Sequence, residues 1–243
     1  MKVYGLTDNG LSRENNQDSL FVSDSEDLPL FMVADGMGGH NAGEIASNIA
    51  VDTIKNNFYK KKKNLESKVR IIDTIGESIY EANKKVYLEA IRRPNCSGMG
   101  TTLTMAYIFD NNIYIGHIGD SRAYHIRDNN IMQITEDDSL VNELIKNGSI
   151  TKEEAMNHPQ KNVITKALGT SIDIEIDVQT KEYEDGDFLV ICSDGLSNMV
   201  KEKDILKTIR IEKDVKSACE TLVDHAKKNG GLDNITLIII EFQ

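Results

Sequence analysis

Residues 102–134 read TLTMAYIFDNNIYIGHIGDSRAYHIRDNNIMQI. Two apolar-rich runs, Thr102–Phe109 and Ile113–Ile118, flank Asp110-Asn111-Asn112. Two more, Arg122–Arg127 and Ile131–Ile134, flank Asp128-Asn129-Asn130. Short Asp/Asn breaks between apolar runs read as hairpin connections, so these strands are expected to pair antiparallel. Working outward, further strands are expected at Lys2–Thr7, Ser19–Val22, Leu30–Ala34, Ile174–Gln179, Phe188–Cys192 and Ile235–Phe242. Two long helical stripes lie upstream of the hairpins. Ile45, Ile49, Val51, Ile54 and Phe58 form one, and Ile72, Ile75, Ile79, Ala82, Val86 and Ala90 form the other. Their 3-and-4 spacing gives each helix one apolar face, suited to covering a sheet. A further helix is expected at Val215–Lys227, with Val215, Ala218, Cys219 and Leu222 as its stripe. Strands cluster and do not alternate strictly with helices, which favours antiparallel sheets covered by helices in one domain spanning residues 1–243. Residues 137–170 are polar, with short helical pieces at Leu140–Ile145 and Lys152–Met156, and read as an excursion from that domain.

Composition narrows the function classes. The 243 residues are 40% hydrophobic and 28% charged, as in an ordinary globular protein, and long enough to bury a core without covalent staples. Cys96, Cys192 and Cys219 are odd in number, far apart and outside any C-x-x-C pair. They read as buried apolar residues in a reducing compartment and not as a disulfide framework or zinc site. The N-terminus lacks the apolar stretch of a signal peptide, and no run approaches ~18 apolar residues, so a cytoplasmic protein without a membrane segment is expected. The net charge of −11 argues against nucleic acid as a partner. The basic run Lys60–Lys63 reads as a solvated helix end. A chain this acidic repels anionic substrates unless something positive sits in its site.

Carboxylates recur at strand ends. Leu30–Ala34 runs into Asp35-Gly36, Ile113–Ile118 into Gly119-Asp120-Ser121, and Phe188–Cys192 into Ser193-Asp194-Gly195. Asp233-Asn234 precedes the last strand, and Asp18 precedes an early one. Each alone is an ordinary turn former. Five at strand mouths would repel one another if they converged, and protonation or cations would have to relieve the repulsion. Oxygen ligands with no His or Cys partner suit Mg²⁺ or Mn²⁺. Such ions would also supply the missing positive charge. Asp35-Gly36-Met37-Gly38-Gly39-His40 adds glycines that let backbone approach a site closely. His40 can be a catalytic group or a plain polar residue near a helix start. Arg13, five residues before Asp18, can be a surface residue or a fork for phosphate oxygens.

At this point the chain resembles the PP2C-type (PPM) metal-dependent serine/threonine protein phosphatases in their compact bacterial form. The matching segments, in the family's order, are Arg13-Glu14-Asn15-Asn16-Gln17-Asp18, Asp35–His40 with Gly43-Glu44, and Gly100-Thr101-Thr102-Leu103. They continue with Gly119-Asp120-Ser121-Arg122, Leu168-Gly169, Ser193-Asp194-Gly195-Leu196 and Asp233-Asn234-Ile235-Thr236. The resemblance implies an α+β fold, a four-layer α-β-β-α sandwich of two mainly antiparallel sheets flanked by helix pairs. It implies that Asp35 bridges two Mn²⁺ or Mg²⁺ ions and that Gly36 offers its carbonyl to one. Asp194 and Asp233 would ligate the other, and Asp120 with Asp194 would hold a third, weaker ion. Asp18 would orient water on the ions, Arg13 would hold the phosphate, and His40 would protonate the leaving oxygen, a task water on the ions could also perform. Residues 137–170 would be the flap beside the site.

The implied reaction is hydrolysis of phosphoserine and phosphothreonine on proteins by water activated between cations. The expected partners are phosphorylated proteins and a Ser/Thr kinase sharing those substrates, with the enzyme a monomer. Three other readings stand beside this one: a phosphatase dedicated to one phosphoserine-bearing regulator, a phosphoprotein binder without turnover, and a hydrolase of small phosphate esters. The complete set Asp35, Asp120, Asp194 and Asp233 argues against the binder.

Overall fold

A computed structural model describes residues 1–39 and 42–243. The strands are β1 (Lys2–Asp8), β2 (Asp18–Val22), β3 (Leu30–Met37), β4 (Gly100–Thr101), β5 (Leu103–Phe109) and β6 (Asn112–Ile118), then β7 (Arg122–Arg127), β8 (Asn130–Gln133), β9 (Asp177–Glu182), β10 (Phe188–Cys192) and β11 (Ile235–Glu241). The helices are α1 (Ala42–Lys61), α2 (Lys68–Arg92), α3 (Leu140–Lys146), α4 (Lys152–Met156), α5 (Asp194–Ser197), α6 (Glu202–Ile211) and α7 (Val215–Lys228). One sheet runs β1-β11-β10-β7-β8 and the other β2-β3-β5-β6-β9, with β4 paired to β3. Every pairing is antiparallel.

Both Asx breaks are tight hairpins. Asp110 and Asn111 take φ of 50° and 56°, and Asp128 takes 51°. These left-handed conformations match the twist of the flanking strands. The register follows, with Phe109 opposite Asn112 and Arg127 opposite Asn130.

Side-chain alternation sorts the apolar residues into three layers. Phe31, Val33, Ala106, Ile115, Ile191 and Ile238 meet between the sheets. Leu30, Met32 and Ala34, on the other face of β3, pack with Ile54, Phe58, Ile75 and Ile79 of α1 and α2. Leu237 and Ile239, on the other face of β11, pack with Ile205, Ile209, Cys219 and Leu222 of α6 and α7. A strand covered on both faces reads as a near-continuous apolar run, as β3 and β11 do. The result is the four-layer α-β-β-α sandwich.

The structure refines the expected elements. β9 begins at Asp177, three residues after the apolar run at Ile174 suggested. Ile174 and Ile176 instead pack against the α1/α2 layer. β9 is an edge strand, so it can be as polar as Asp177–Glu182. Helix α6 is not among the elements expected from the sequence, although Ile205, Thr208 and Ile209 are buried at helical spacing along its ten residues. The three cysteines are free and buried, and burial pushes the Cys192 and Cys219 thiols up to about 12. Lys60 and Lys61 close the last turn of α1. Among the described residues, no helix is long and apolar enough to cross a membrane.

The segment from 137 to 170 is tied down at both ends. Asp138 N donates to Gly119 O, and Gly119 N donates back to Asp138 Oδ2, at 2.8 and 3.0 Å. Arg122 grips Asp137 through Nε and Nη2. At the far end, Leu168 and Thr101 exchange backbone hydrogen bonds. Asn83 of α2 accepts from Gly169 N and donates to the carbonyls of Ser171 and Ile172.

Candidate metal centre

The two sheets bring the acidic strand ends to one place. Antiparallel pairing of β2 with β3 sets Asp18 directly opposite Asp35. Asp194 opens α5 immediately after β10, and Asp233 lies two residues before β11, the strand that pairs with β10. Asp120 sits in the turn where the chain leaves β6 for β7. Close backbone packing joins α5 to the Asp233-Asn234 segment. A Cβ on Gly195 would fall 1.9 Å from Asn234 O, so only glycine lets α5 approach the Asp233-Asn234 segment this closely. Gly36 is pinched in the same way, since a Cβ there would lie 2.1 Å from Gly43 O and 2.5 Å from Gln17 O.

Neutral side chains hold the acids in place. Ser193 Oγ donates to Asp18 Oδ2 at 2.9 Å and accepts from Thr236 N at 3.0 Å. Asn234 Oδ1 accepts from Gln17 N, and its Nδ2 donates to the carbonyls of Asn9 and Asn15. Asn234 thereby fastens the β1–β2 loop, which carries Arg13, beside Asp233. Asp35 is gripped by its backbone: its N–H donates to Thr102 Oγ1, while its carbonyl accepts from Thr102 N and Thr101 Oγ1. Ser193, Asn234 and Thr102 belong to the quoted motifs, but sequence alone assigned them no task. Their value lies in bonds between distant segments.

The electrostatics are those of acids forced together. Burial raises Asp35 well above the carboxylate range, and the charges of Asp18, Asp194, Asp120 and Asp233 push the same way. Burial likewise carries Asp18 to about 6, Asp194 to about 6 and Asp120 to about 7. Asp233 adds to the rise at Asp194, and Asp194 adds to that at Asp120. The nearby cations are partly committed elsewhere. Arg122 is held by Asp137, and Arg13, half exposed, donates through Nη2 to Asp233 Oδ2 at 2.9 Å.

These residues fit divalent cations. Asp18 Oδ1, Asp120 Oδ1 and Asp194 Oδ1 are buried with no hydrogen-bond partner. A buried acceptor left unpaired is costly, and three beside one another need a positive ligand or protons. Among the described residues, no three or more His, Cys, Asp or Glu side chains are arranged as a ready-made metal-ion site. The fit to cations rests on the unpaired carboxylate oxygens, and Mg²⁺ binds through as few as one or two carboxylates with several waters. Of the residues singled out in the sequence, the structure gathers Arg13, Asp18, Asp35, Gly36, Asp120, Asp194 and Asp233. His40 lies outside the described residues.

Comparison with known proteins agrees with this geometry. A family profile described as protein phosphatase 2C matches residues 11–234. The chain is 38% identical to the serine/threonine phosphatase stp of Listeria welshimeri over 236 residues, covering 97% of this chain and 93% of that protein. The solved serine/threonine phosphatase of S. agalactiae superposes with a TM-score of 0.94 at 39% identity, covering 100% of this chain and 99% of the other. The catalytic domain of the phosphatase PstP, solved with two manganese ions, superposes with a TM-score of 0.85 at 33% identity, covering 98% and 96%. The chain therefore belongs to the protein phosphatase 2C family and is an enzyme of the serine/threonine phosphatase class.

Proposed function

We propose that this enzyme hydrolyses phosphoserine and phosphothreonine on proteins with Mn²⁺ or Mg²⁺ as cofactor, opposing a Ser/Thr protein kinase. The observation that carries the cation dependence is the set of unpartnered, buried carboxylate oxygens on Asp18, Asp120 and Asp194. In this reading residues 1–243 form one domain, with 137–170 as a flap beside the site. Asp35 would serve both of two core ions, and the Gly36 carbonyl would be available to one of them. Asp194 and Asp233 would hold the other, and Asp120 with Asp194 would take a third, weaker ion. The manganese reported with PstP supports the same type of cofactor here.

Bound ions would acidify water and offset charge on the phosphoryl oxygens. The chain's own residues supply the rest. Asp18, fixed by Ser193, presents Oδ1 to orient the attacking water. Arg13 stands half exposed at the rim. A guanidinium has five donors, so a bond to Asp233 leaves a fork for phosphate oxygens and in-line alignment. His40 would give a proton to the departing serine or threonine oxygen, with water as the alternative donor. An imidazole titrating near pH ~6.5 is suited to that task.

A side-by-side assay tests the reading. A phosphothreonine peptide and p-nitrophenyl phosphate are offered with Mn²⁺ and with excess EDTA. Peptide turnover that requires Mn²⁺ is expected. Peptide turnover undiminished by EDTA would refute the cation dependence. Turnover of the ester alone would favour a small-ester hydrolase, and peptide binding without turnover a non-catalytic binder.

A further inference from the structure

We propose that Thr102 and Ser121 form a buried hydroxyl tie that fixes Asp35 against Asp120 and so sets the enzyme's affinity for divalent cations. The proposal rests on the cation reading of the site. It assigns Thr102 and Ser121 as positioning residues, acting through the two carboxylates.

Asp35 and Asp120 come from parts of the chain that no backbone ladder joins. Asp35 is on β3, and β5 separates β3 from β6. Asp120 lies beyond β6, in the turn that crosses to the opposite sheet. The ladder is itself interrupted at Asp35. β3 pairs with β5 up to Val33 opposite Thr104, and with β4 from Gly36 opposite Thr101. In the gap, Thr102 N donates to Asp35 O at 2.8 Å, as a ladder would require. The return bond is different: Asp35 N donates at 3.0 Å to the side-chain oxygen Thr102 Oγ1. A side-chain hydroxyl thus replaces a ladder partner at the residue proposed to bridge the ions.

The same oxygen makes the connection to Asp120. Thr102 Oγ1 lies 2.7 Å from Ser121 Oγ, and Ser121 follows Asp120 directly. Thr104 Oγ1 also donates to Ser121 O at 3.1 Å, so the turn is held by backbone and side chain. Thr102 and Ser121 are fully buried. A hydroxyl in such a place is costly unless bonded, and valine would serve a strand equally well at position 102. What threonine adds over valine is the bond between the Asp35 backbone and the Asp120 turn. Groups that orient metal ligands from behind typically command about 10–100-fold in metal affinity.

The test is Mn²⁺ titration by calorimetry on chelator-treated full-length protein, with melting temperatures measured alongside. The variants are Thr102→Val, Thr102→Ser and Ser121→Ala. Thr102→Val should weaken Mn²⁺ binding about 10–100-fold. Thr102→Ser, which keeps the hydroxyl, should return it close to wild type. Ser121→Ala leaves the Asp35 N–H paired and should weaken only the weakest class of ions. Wild-type affinity in Thr102→Val, whatever its melting temperature, would overturn the proposal, as would a Thr102→Ser variant as weak as Thr102→Val. Unchanged weak-site affinity in Ser121→Ala overturns it, whether or not Thr102→Val folds. Wild-type protein that binds no Mn²⁺ would remove the cation reading itself, and the tie's proposed role with it.

Discussion

Strand β10 has an aspartate beyond each end, Asp187 buried and Asp194 half-buried, and the two are treated in opposite ways. Asp187, just before the strand, is surrounded by donors. Arg127 donates to it through Nε and Nη2, His125 Nε2 lies at 2.9 Å, and Glu184 N donates at 2.9 Å. Burial alone would raise Asp187, but the Arg127, Glu184 and His125 hydrogen bonds bring it down to about 2. Asp194, just after the strand, has one oxygen without a partner and other carboxylates for neighbours, and burial with the Asp233 charge carries it to about 6. The first site is electrically complete within the protein. The second lacks donors and needs cations or protons to become so. Burial of an acid therefore does not by itself mark a functional site, whereas burial with missing donors does.

The largest expected effect breaks the Asp194 end. Asp194→Ala should lower turnover of a phosphothreonine peptide by about 10³-fold or more, since several kcal/mol of charge stabilisation is lost. Its melting temperature in EDTA should hold or rise, because one of several mutually repelling charges is gone. Steady-state kinetics and thermal melts check both parts. Asp187→Asn should do the reverse. It should lower stability, because Arg127 and His125 lose the charge their donors now face. Turnover per folded molecule should be unchanged, and urea unfolding with an activity assay below the transition reads the difference.

A smaller effect lies in pH. Asp18, Asp120 and Asp194 have folded values of about 6, 7 and 6, above the unfolded ~3.9. Between those values the folded protein binds more protons than the unfolded chain, so stability in EDTA should fall as pH rises from ~4 to ~7. Asp187 has the opposite sign. Its contribution is complete above ~3.9 and is lost as pH falls towards about 2. Melting temperature against pH in EDTA should therefore peak near the unfolded carboxylate value, and Mn²⁺ should move the peak upward. A flat profile from pH 4 to 7 in EDTA would contradict the shared burial of the acids.

Much of this was legible in the sequence because the signals were local. Asp-Asn breaks encode hairpins, two long stripes encode α1 and α2, and an aspartate at each strand mouth encodes the cluster. What stayed hidden depends on distant partners. α6 carries only a three-residue buried stripe in a short, highly charged helix, and β9 is a polar edge strand whose position is set by pairing with β6. The tasks of Thr102, Ser193 and Asn234 exist only as contacts across the sandwich. The Asp187 cluster was invisible for the same reason, since Arg127 and Asp187 are 60 residues apart.

The most direct test of the central claim is a calorimetric titration of Mn²⁺ into chelator-treated wild-type protein at pH 7.5, with Asp194→Asn as the paired variant. The wild type is expected to bind at least two ions, as in the manganese complex of PstP, and the variant to lose at least one. No Mn²⁺ binding by folded wild-type protein, or the same stoichiometry and affinity in both proteins, would contradict it.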